Sequence, residues 1–209
     1  MNAKIDALKS RMVLPAIAAP MFLVSNPETV IASCKAGVMG SFPGPNARTT
    51  QDLRNWLTQI TDSVGADDTP WAMNMITHSS YGRFDDEIAL VEEFQPDLVI
   101  TALGGPHRVT EQVHIYGGLV FADVITPTFA RKALDKGADG LVLVCAGAGG
   151  HTGESAMRAL IERTKTAAAA PISLAEGCFI TTSSLPSPFK SGKPTIMKRV
   201  SSSFSLILK

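Results

Sequence analysis

The residues best suited to chemistry in this chain form one glycine-rich run around a histidine, Cys145-Ala-Gly-Ala-Gly-Gly-His-Thr-Gly153. The run follows directly on Leu141-Val-Leu-Val144, an apolar segment that predicts a buried parallel strand. Glycine lets a backbone approach a ligand closely because it has no Cβ, and histidine is the side chain best suited to moving a proton near neutral pH. Because the carboxyl ends of strands carry the chemistry in alternating α/β folds, His151 is the candidate acid–base residue.

Two common nucleotide-binding motifs do not fit this run. A dinucleotide fingerprint that begins at Gly147 needs a third glycine at position 152, where the chain has Thr152. A P-loop needs a Gly-Lys-Ser/Thr triplet, which does not follow. The alternative interpretation of the run, a glycine-rich turn with an incidental histidine, stays open on this evidence alone.

Composition and charge limit the function classes further. The chain has 209 residues, of which 45% are hydrophobic and 18% charged, as is typical of a soluble globular protein. A formal net charge of zero argues against nucleic acid or an anionic membrane as the principal partner. Its three cysteines, Cys34, Cys145 and Cys178, lack CxxC spacing, so we expect neither a disulfide scaffold nor a metal site. The amino terminus does not resemble a signal peptide, and the apolar run Leu14–Val24 is too short to cross a bilayer, so we expect a cytoplasmic protein.

Strand-like runs alternate with helical patterns along most of the chain. The predicted strands are residues 14–19, 38–42, 71–76, 98–102, 119–125, 141–145 and 171–175. Helices are predicted to begin at Asn26-Pro27 and Thr49-Thr50 and to cover residues 85–94, 108–116, 127–136 and 154–170. This alternation predicts a mostly parallel sheet covered by helices. The repetition favours an incomplete TIM-type (β/α)8 barrel of about seven β–α units, with an open doubly wound sheet as the alternative.

The last part of the chain differs in composition from the rest. From Thr181 to Lys209 there is no acidic residue against five lysines and arginines, and serine and proline are frequent. We therefore predict two regions, an incomplete barrel domain at residues 1–180 and a disordered basic tail at residues 181–209. The rival hypothesis is that Phe204–Leu208, which alternates apolar residues at Phe204, Leu206 and Leu208, forms the strand that the barrel still needs.

Three segments resemble the nitronate monooxygenases, formerly called 2-nitropropane dioxygenases. They are Ala18-Ala-Pro-Met21, Ala72-Met-Asn-Met75 and Ala146-Gly-Ala-Gly-Gly-His-Thr-Gly153, and the similarity covers roughly residues 12 to 153 in order. The resemblance implies a TIM-type barrel that binds FMN non-covalently and oxidises alkyl nitronates with molecular oxygen to carbonyl compounds and nitrite. The implied partners are a nitronate or nitroalkane and oxygen, and a homo-oligomer is compatible with the family.

The resemblance also implies roles for individual residues. Pro20, Met21 and Phe22 would line the isoalloxazine ring, Asn74 would hydrogen-bond the flavin, and Gly149 and Gly150 would let the loop approach the ring. His151 would be the catalytic base that removes the α-proton of a neutral nitroalkane or orients an anionic nitronate. Asp123 would face the pocket where some relatives carry a lysine, in a role that the resemblance leaves open.

The phosphate end of the cofactor site departs from the family pattern. Gly177 would contribute to it from a loop after the seventh strand, but Glu176 beside it would repel a phosphate. The Gly-Thr turn of an eighth strand has no clear counterpart, so we expect weaker FMN binding than in a complete barrel. Two alternative functions follow, a related FMN-dependent enoyl reductase-like oxidoreductase and an inactive truncated homologue.

Overall fold

The structure, a computed structural model, describes residues 3–146, 148, 153–168, 174–180 and 204–208. Its helices are α1 (Ala3–Ser10), α2 (Pro27–Lys35), α3 (Thr50–Ser63), α4 (Phe84–Phe94), α5 (Thr110–Ile115), α6 (Pro127–Asp135) and α7 (Met157–Ala168). Its strands are β1 (Gly40–Pro43), β2 (Trp71–Ile76), β3 (Leu98–Ala102), β4 (Leu119–Val124), β5 (Gly140–Leu143), β6 (Leu174–Ile180) and β7 (Phe204–Leu208).

Local sequence signals explain where several helices begin. The Asn26 side chain accepts a hydrogen bond from the Thr29 N–H at 2.9 Å and caps α2, whose first residue is a proline. Thr49 and Asp52 form a reciprocal capping box at the start of α3. Thr126 caps α6 in the same manner, through the N–H of Phe129 at 3.2 Å.

The first five strands form a parallel sheet in chain order, with a helix in each connection between them. Strand β7 then pairs antiparallel with both β5 and β6, so that β6 runs in the same direction as the parallel strands. Parallel strands joined by helical crossovers place their carboxyl ends at one edge of the sheet. The predicted alternating α/β architecture is confirmed.

The sheet has two apolar faces, and they pack against different parts of the chain. One face packs against the covering helices, through strand residues such as Met73, Val99 and Val120 near α3 to α5 and Ala122 and Leu143 near α6 and α7. The opposite face forms a separate cluster of Met39, Ala72, Leu98, Ile100, Leu119, Phe121 and Val142. Among the described residues, α1 is the helix that joins this second cluster, through Ile5 and Leu8. The second face is therefore the barrel interior.

The first predicted strand, residues 14–19, is reduced to one isolated bridge between Ile17 and Met39. The Ala18 N–H donates to the Met39 carbonyl at 2.8 Å, and the Met39 N–H donates to the Ala16 carbonyl at 3.1 Å. Pro15 and Pro20 lack backbone N–H groups, so they limit this segment to a short contact at the edge of β1. The prediction of a regular strand here was wrong in extent.

The carboxyl-terminal part of the chain differs from the sequence prediction in two ways. The seventh strand covers Leu174–Ile180 rather than residues 171–175, since Phe179 and Ile180 have high strand propensity; residues 171–173 lie outside the described residues. Phe204–Leu208, within the predicted disordered tail, forms strand β7 as the rival hypothesis supposed. The other tail residues lie outside the described residues, and the domain division at residue 180 stays a prediction.

Within the described parts of the chain, no helix is both long enough and apolar enough to cross a membrane.

Candidate active site at the carboxyl end of the strands

The loop that follows the Ile17 bridge, residues 20–25, contains three of the predicted cofactor-binding residues, Pro20, Met21 and Phe22. We call it the proline–methionine loop. The Met21 N–H donates to the Ser25 hydroxyl at 3.0 Å, and the Met21 carbonyl accepts from the Ser25 N–H at 3.0 Å. Ser25 is buried, whereas Pro20 and Met21 are half-buried and Phe22 is exposed. The loop therefore has an internally bonded base and an apolar tip.

Asn46, which the sequence analysis did not single out, fastens this loop to the rest of the barrel. It lies in a short 3-10 turn, Gly44–Asn46, directly after β1. Its amide nitrogen donates to the carbonyl of Met21 at 2.9 Å and to that of Ser25 at 2.8 Å, and its amide oxygen accepts from the Leu23 N–H at 2.9 Å. A Gly-Pro-Asn turn after a strand was the available sequence signal, but its partners are more than 20 residues away in the chain.

Two exposed leucines in the loops at this end of the barrel have left-handed backbones. Leu23 in the proline–methionine loop has φ +63°, and Leu103, directly after β3, has φ +56°. A non-glycine residue in this region costs about 1–2 kcal/mol, and such residues cluster at functional sites. The side chains of Phe22, Leu23 and Leu103 are apolar and exposed. They belong to loops whose conformation includes the unfavourable left-handed backbones of Leu23 and Leu103.

A second pair of loops at this end is joined by Arg108, which the sequence analysis also missed. Its guanidinium donates to the His78 carbonyl at 3.1 Å and lies 3.5 Å from the centre of the Phe84 ring. Gly104, after β3, packs so closely on Thr77, after β2, that a Cβ there would come within 2.6 Å of the Thr77 hydroxyl. These contacts fix the loops that follow β2 and β3 relative to each other.

Asn74 lies on β2 with its side chain on the interior face, two residues after the interior residue Ala72. It is 8% exposed, and its amide nitrogen donates to the Ile100 carbonyl of β3 at 3.2 Å. Within the described residues its amide oxygen and second N–H have no hydrogen-bond partner. A nearly buried amide with free donor and acceptor capacity is suited to contacting the polar edge of a ligand.

Asp123 lies on β4 between Ala122 and Val124, which pack against α6 and α7, so its own side chain is on the interior face. It is half-buried, stands in register with Val142 of β5, and has no hydrogen bond or ion pair within the described residues. Burial raises the pKa of the Asp123 carboxyl group to about 7. The side chain thus lies on the interior face of β4, and its contact with a cofactor stays a prediction.

The glycine–histidine run begins shortly after β5, and its last residue, Gly153, packs against Val144, the residue that follows β5. The Ala146 N–H donates to the Ser155 carbonyl at 2.8 Å, and a Cβ at Gly153 would lie 2.2 Å from the Val144 carbonyl oxygen. Only glycine fits at position 153, because the obstructing atom belongs to the backbone. Gly149, Gly150 and His151 lie outside the described residues, so their predicted roles stay predictions.

Gly177 differs from its sequence-based placement. The prediction put Glu176 and Gly177 in a loop after the seventh strand, but both lie inside β6, which continues to Ile180. The pairing of β6 with β7 shifts register between Leu174 and Cys178, so Gly177 falls at the irregular part of the strand. A glycine within a strand is not at the carboxyl end, where a phosphate loop of a barrel would start.

The described residues fit the ring portion of a flavin better than its phosphate portion. An isoalloxazine ring needs flat apolar contact and a few polar groups at its heteroatom edge. The exposed tip of the proline–methionine loop can supply the apolar contact. The amide oxygen of Asn74, which has no partner within the described residues, can supply the polar group. For the phosphate, the one predicted residue that the structure describes, Gly177, is inside a strand.

Solved structures share this architecture, and 97 chains match it. FabK from Thermotoga maritima is 23% identical with a TM-score of 0.68, over 78% of this chain and 50% of that chain. Nitroalkane oxidase from Streptomyces ansochromogenes is 20% identical with a TM-score of 0.69, over 79% of this chain and 59% of that chain. An IMP dehydrogenase/GMP reductase-like protein from Corynebacterium glutamicum is 18% identical with a TM-score of 0.54, over 74% of this chain and 52% of that chain. No protein-family model and no curated protein matches the chain.

The sheet topology and these likenesses define the chain as an incomplete TIM-type (β/α) barrel, as predicted. The fold that the resemblance to the nitronate monooxygenases implied is confirmed, since the chain shares it with the nitroalkane oxidase and FabK structures. The chain spans between half and three fifths of the length of the three structures named above.

Proposed function

We propose that this chain is a flavin-dependent oxidoreductase that acts on alkyl nitronates. The observation that carries the proposal is the convergence of the three family-like segments at one end of the barrel. The proline–methionine loop follows the first bridge, Asn74 lies near the end of β2, and the glycine–histidine run starts at the end of β5. Carboxyl ends of strands are where TIM barrels place their active sites. Nitroalkane oxidase and FabK both share this fold, so the likenesses support the barrel, and the choice of reaction rests on the three segments.

In this proposal FMN supplies the oxidation chemistry, and the chain positions the reactants. Pro20, Met21 and Phe22 line the ring system, and the loop that carries them is held by Asn46. Asn74 uses its free amide oxygen and N–H at the polar edge of the ring. His151 accepts the α-proton of a neutral nitroalkane, or orients a nitronate that has already lost this proton.

FMN binding tests the cofactor assignment. We expect flavin fluorescence to report saturable binding of FMN to the purified chain. The dissociation constant should lie above the submicromolar range, because Gly177, the residue predicted to contact the phosphate, lies inside β6. Asn74→Leu should weaken this binding, because it removes the free polar groups without a large change in volume. Thr101→Val, a change of a buried polar residue on the helix-covered face beside Ile100, should not. Equal losses in the two variants, or no FMN binding by the parent, would contradict the assignment.

Turnover tests the proposed base. His151→Asn should lower activity on nitroethane by roughly 10²–10⁴-fold, since a positioned base contributes this much to proton abstraction. The loss on ethylnitronate should be much smaller because that substrate has already lost its α-proton. Oxygen consumption and nitrite release at equal flavin loading measure both. Equal losses of activity on the two substrates would contradict the role of His151 as a base and would indicate a role in binding.

The enoyl reductase-like alternative is separated by its reductant. The fold does not choose between the two, since the TM-scores to the FabK and nitroalkane oxidase structures are 0.68 and 0.69. NADH-dependent reduction of the bound flavin without nitronate turnover would select the alternative. Oxidation of ethylnitronate without NADH would select the proposed function.

A further inference from the structure

The interior wall of the barrel carries an ionisable group that the proposed reaction does not yet use, the carboxyl group of Asp123. Its strand neighbours Ala122 and Val124 pack against α6 and α7, which leaves Asp123 on the face opposite the helices. It lies next to the last residue of β4, at the carboxyl end of the sheet. The group therefore belongs to the end of the barrel where Asn74 and the proline–methionine loop lie.

The surroundings of Asp123 on this face are apolar. Phe121, two residues before Asp123 and on the same face of β4, has its ring over Gly140. A Cβ at Gly140 would come within 2.6 Å of this ring. Val142 of β5 stands in register with Asp123, and the pairing of Thr101 with Ala122 puts Ala102 of β3 at the level of Asp123. None of these residues ionises. Within the described residues no donor or cation satisfies the carboxylate.

We propose that Asp123 binds the anionic substrate through its own carboxyl proton, so that each nitronate bound is accompanied by one proton held on this residue. The proposal rests on the proposed function for the identity of the anion. A carboxylic acid that keeps its proton donates a hydrogen bond to a nitronate oxygen, whereas the ionised form repels the anion.

Two properties of Asp123 support a role in binding an anion. The absence of an internal partner among the described residues leaves the carboxyl proton free for a ligand. Burial raises the pKa of Asp123 to about 7, so the neutral acid is present at physiological pH. No bond forms or breaks in this step, and the proton stays on the carboxyl oxygen while the anion is bound.

Nitrite, a small planar oxyanion, is the probe for a binding test on the FMN-loaded chain. We expect the nitrite affinity, followed by the change in flavin absorbance, to fall roughly tenfold per pH unit above the carboxyl pKa. Asp123→Asn keeps an N–H donor, so it should bind nitrite with a flat pH profile. Asp123→Val has no donor and should bind roughly tenfold to a hundredfold more weakly at low pH.

Two control variants separate this linkage from other sources of pH dependence. Asp135→Asn makes the same charge change at an exposed position at the end of α6 and should keep the parent profile. His151→Asn should also keep the pH slope. A slope that disappears in His151→Asn and persists in Asp123→Asn would overturn the proposal, because the linked proton would then be on the histidine.

A flavin-independent measurement distinguishes failure of this proposal from failure of the proposed function. Carbon-13 NMR of the chain labelled at aspartate carboxyls, with the Asp123 signal identified by its loss in Asp123→Asn, gives the titration of this group directly. We expect a midpoint near 7 that rises further when nitrite is added. A midpoint near the ordinary value of about 4 would overturn the proposal whether or not FMN binds.

Discussion

At the scale of single residues, Asn74 and Asp123 on the interior face of the described sheet differ in their hydrogen bonding. Asn74 donates one N–H to the Ile100 carbonyl, and its amide oxygen and second N–H have no partner within the described part of the chain. Asp123 has no protein partner among the described residues, and burial raises its pKa to about 7. A buried polar group without a partner costs free energy unless a ligand satisfies it. Such residues are therefore better explained by binding than by stability.

The Asp123 carboxyl group should make stability depend on pH. Its pKa in the folded chain, about 7, is raised above the unfolded value, so the folded state holds the proton more tightly. Its contribution to stability is fully present below the unfolded pKa and is lost as pH rises through about 7. We therefore expect Asp123→Asn to raise the free energy of unfolding near pH 8 by about 1–3 kcal/mol, with little change near pH 4. Thermal denaturation at the two pH values measures this, and equal effects at both would contradict the raised pKa.

At the scale of elements, loops rather than strands shape the mouth of the barrel. Asn46 fixes the proline–methionine loop to the turn after β1, and Arg108 fixes the loop after β3 to the loop after β2. Leu23 and Leu103, the exposed leucines with left-handed backbones, lie in loops held by these contacts. The hydrogen bonds offset the backbone strain and keep the apolar tips in place before a ligand arrives.

Removing the Asn46 side chain should release the proline–methionine loop. Asn46→Ala deletes three hydrogen bonds to Met21, Leu23 and Ser25, so we expect faster chymotrypsin cleavage at Phe22 and weaker FMN binding. The free energy of unfolding should fall by roughly 1–3 kcal/mol. Asn55→Ala, the same change at an exposed position on α3, is the matched control and should alter neither readout. An unchanged cleavage rate in Asn46→Ala would show that the loop is held by other contacts.

At the scale of the whole molecule, the parallel sheet is extended by an antiparallel strand. Strand β7 lies between β5 and β6, so it satisfies the backbone of β5 on the side where a further parallel strand of a barrel would pair. An unpaired edge on β5 would invite aggregation or pairing with another chain. The run Phe204–Leu208 therefore protects the edge of β5 within the described sheet.

A proline in β7 tests whether this strand belongs to the folded domain. Leu206 stands in register with Leu143 of β5 and Cys178 of β6, and proline is excluded from central strands because it lacks the N–H. We expect Leu206→Pro to lower the free energy of unfolding by about 1–3 kcal/mol. Ser187→Pro, which extends a proline-rich stretch of the predicted tail, should leave it unchanged. An unaffected thermal midpoint in Leu206→Pro would favour the original prediction of a tail outside the fold.

Short sequence patterns were sufficient to predict the helices and strands that depend only on neighbouring residues. The runs at residues 71–76 and 98–102 coincide with β2 and β3, because an apolar strand bounded by turn residues needs no distant information. The caps at Asn26 and Thr49 act on N–H groups three residues ahead in each case, so the starts of α2 and α3 were also readable. The motifs at Pro20-Met21, Asn74 and the glycine–histidine run were sufficient to predict the fold.

Only the tertiary structure decided the features that depend on distant partners. The shortening of the first strand to the Ile17 bridge, the fastening of residues 20–25 by Asn46, and the pairing of β7 all join positions far apart in sequence. The same holds for the apolar wall around Asp123, which is built from β3, β4 and β5. A sequence pattern reports the face on which a side chain lies, but its pKa and its partners depend on what the other strands bring to that face.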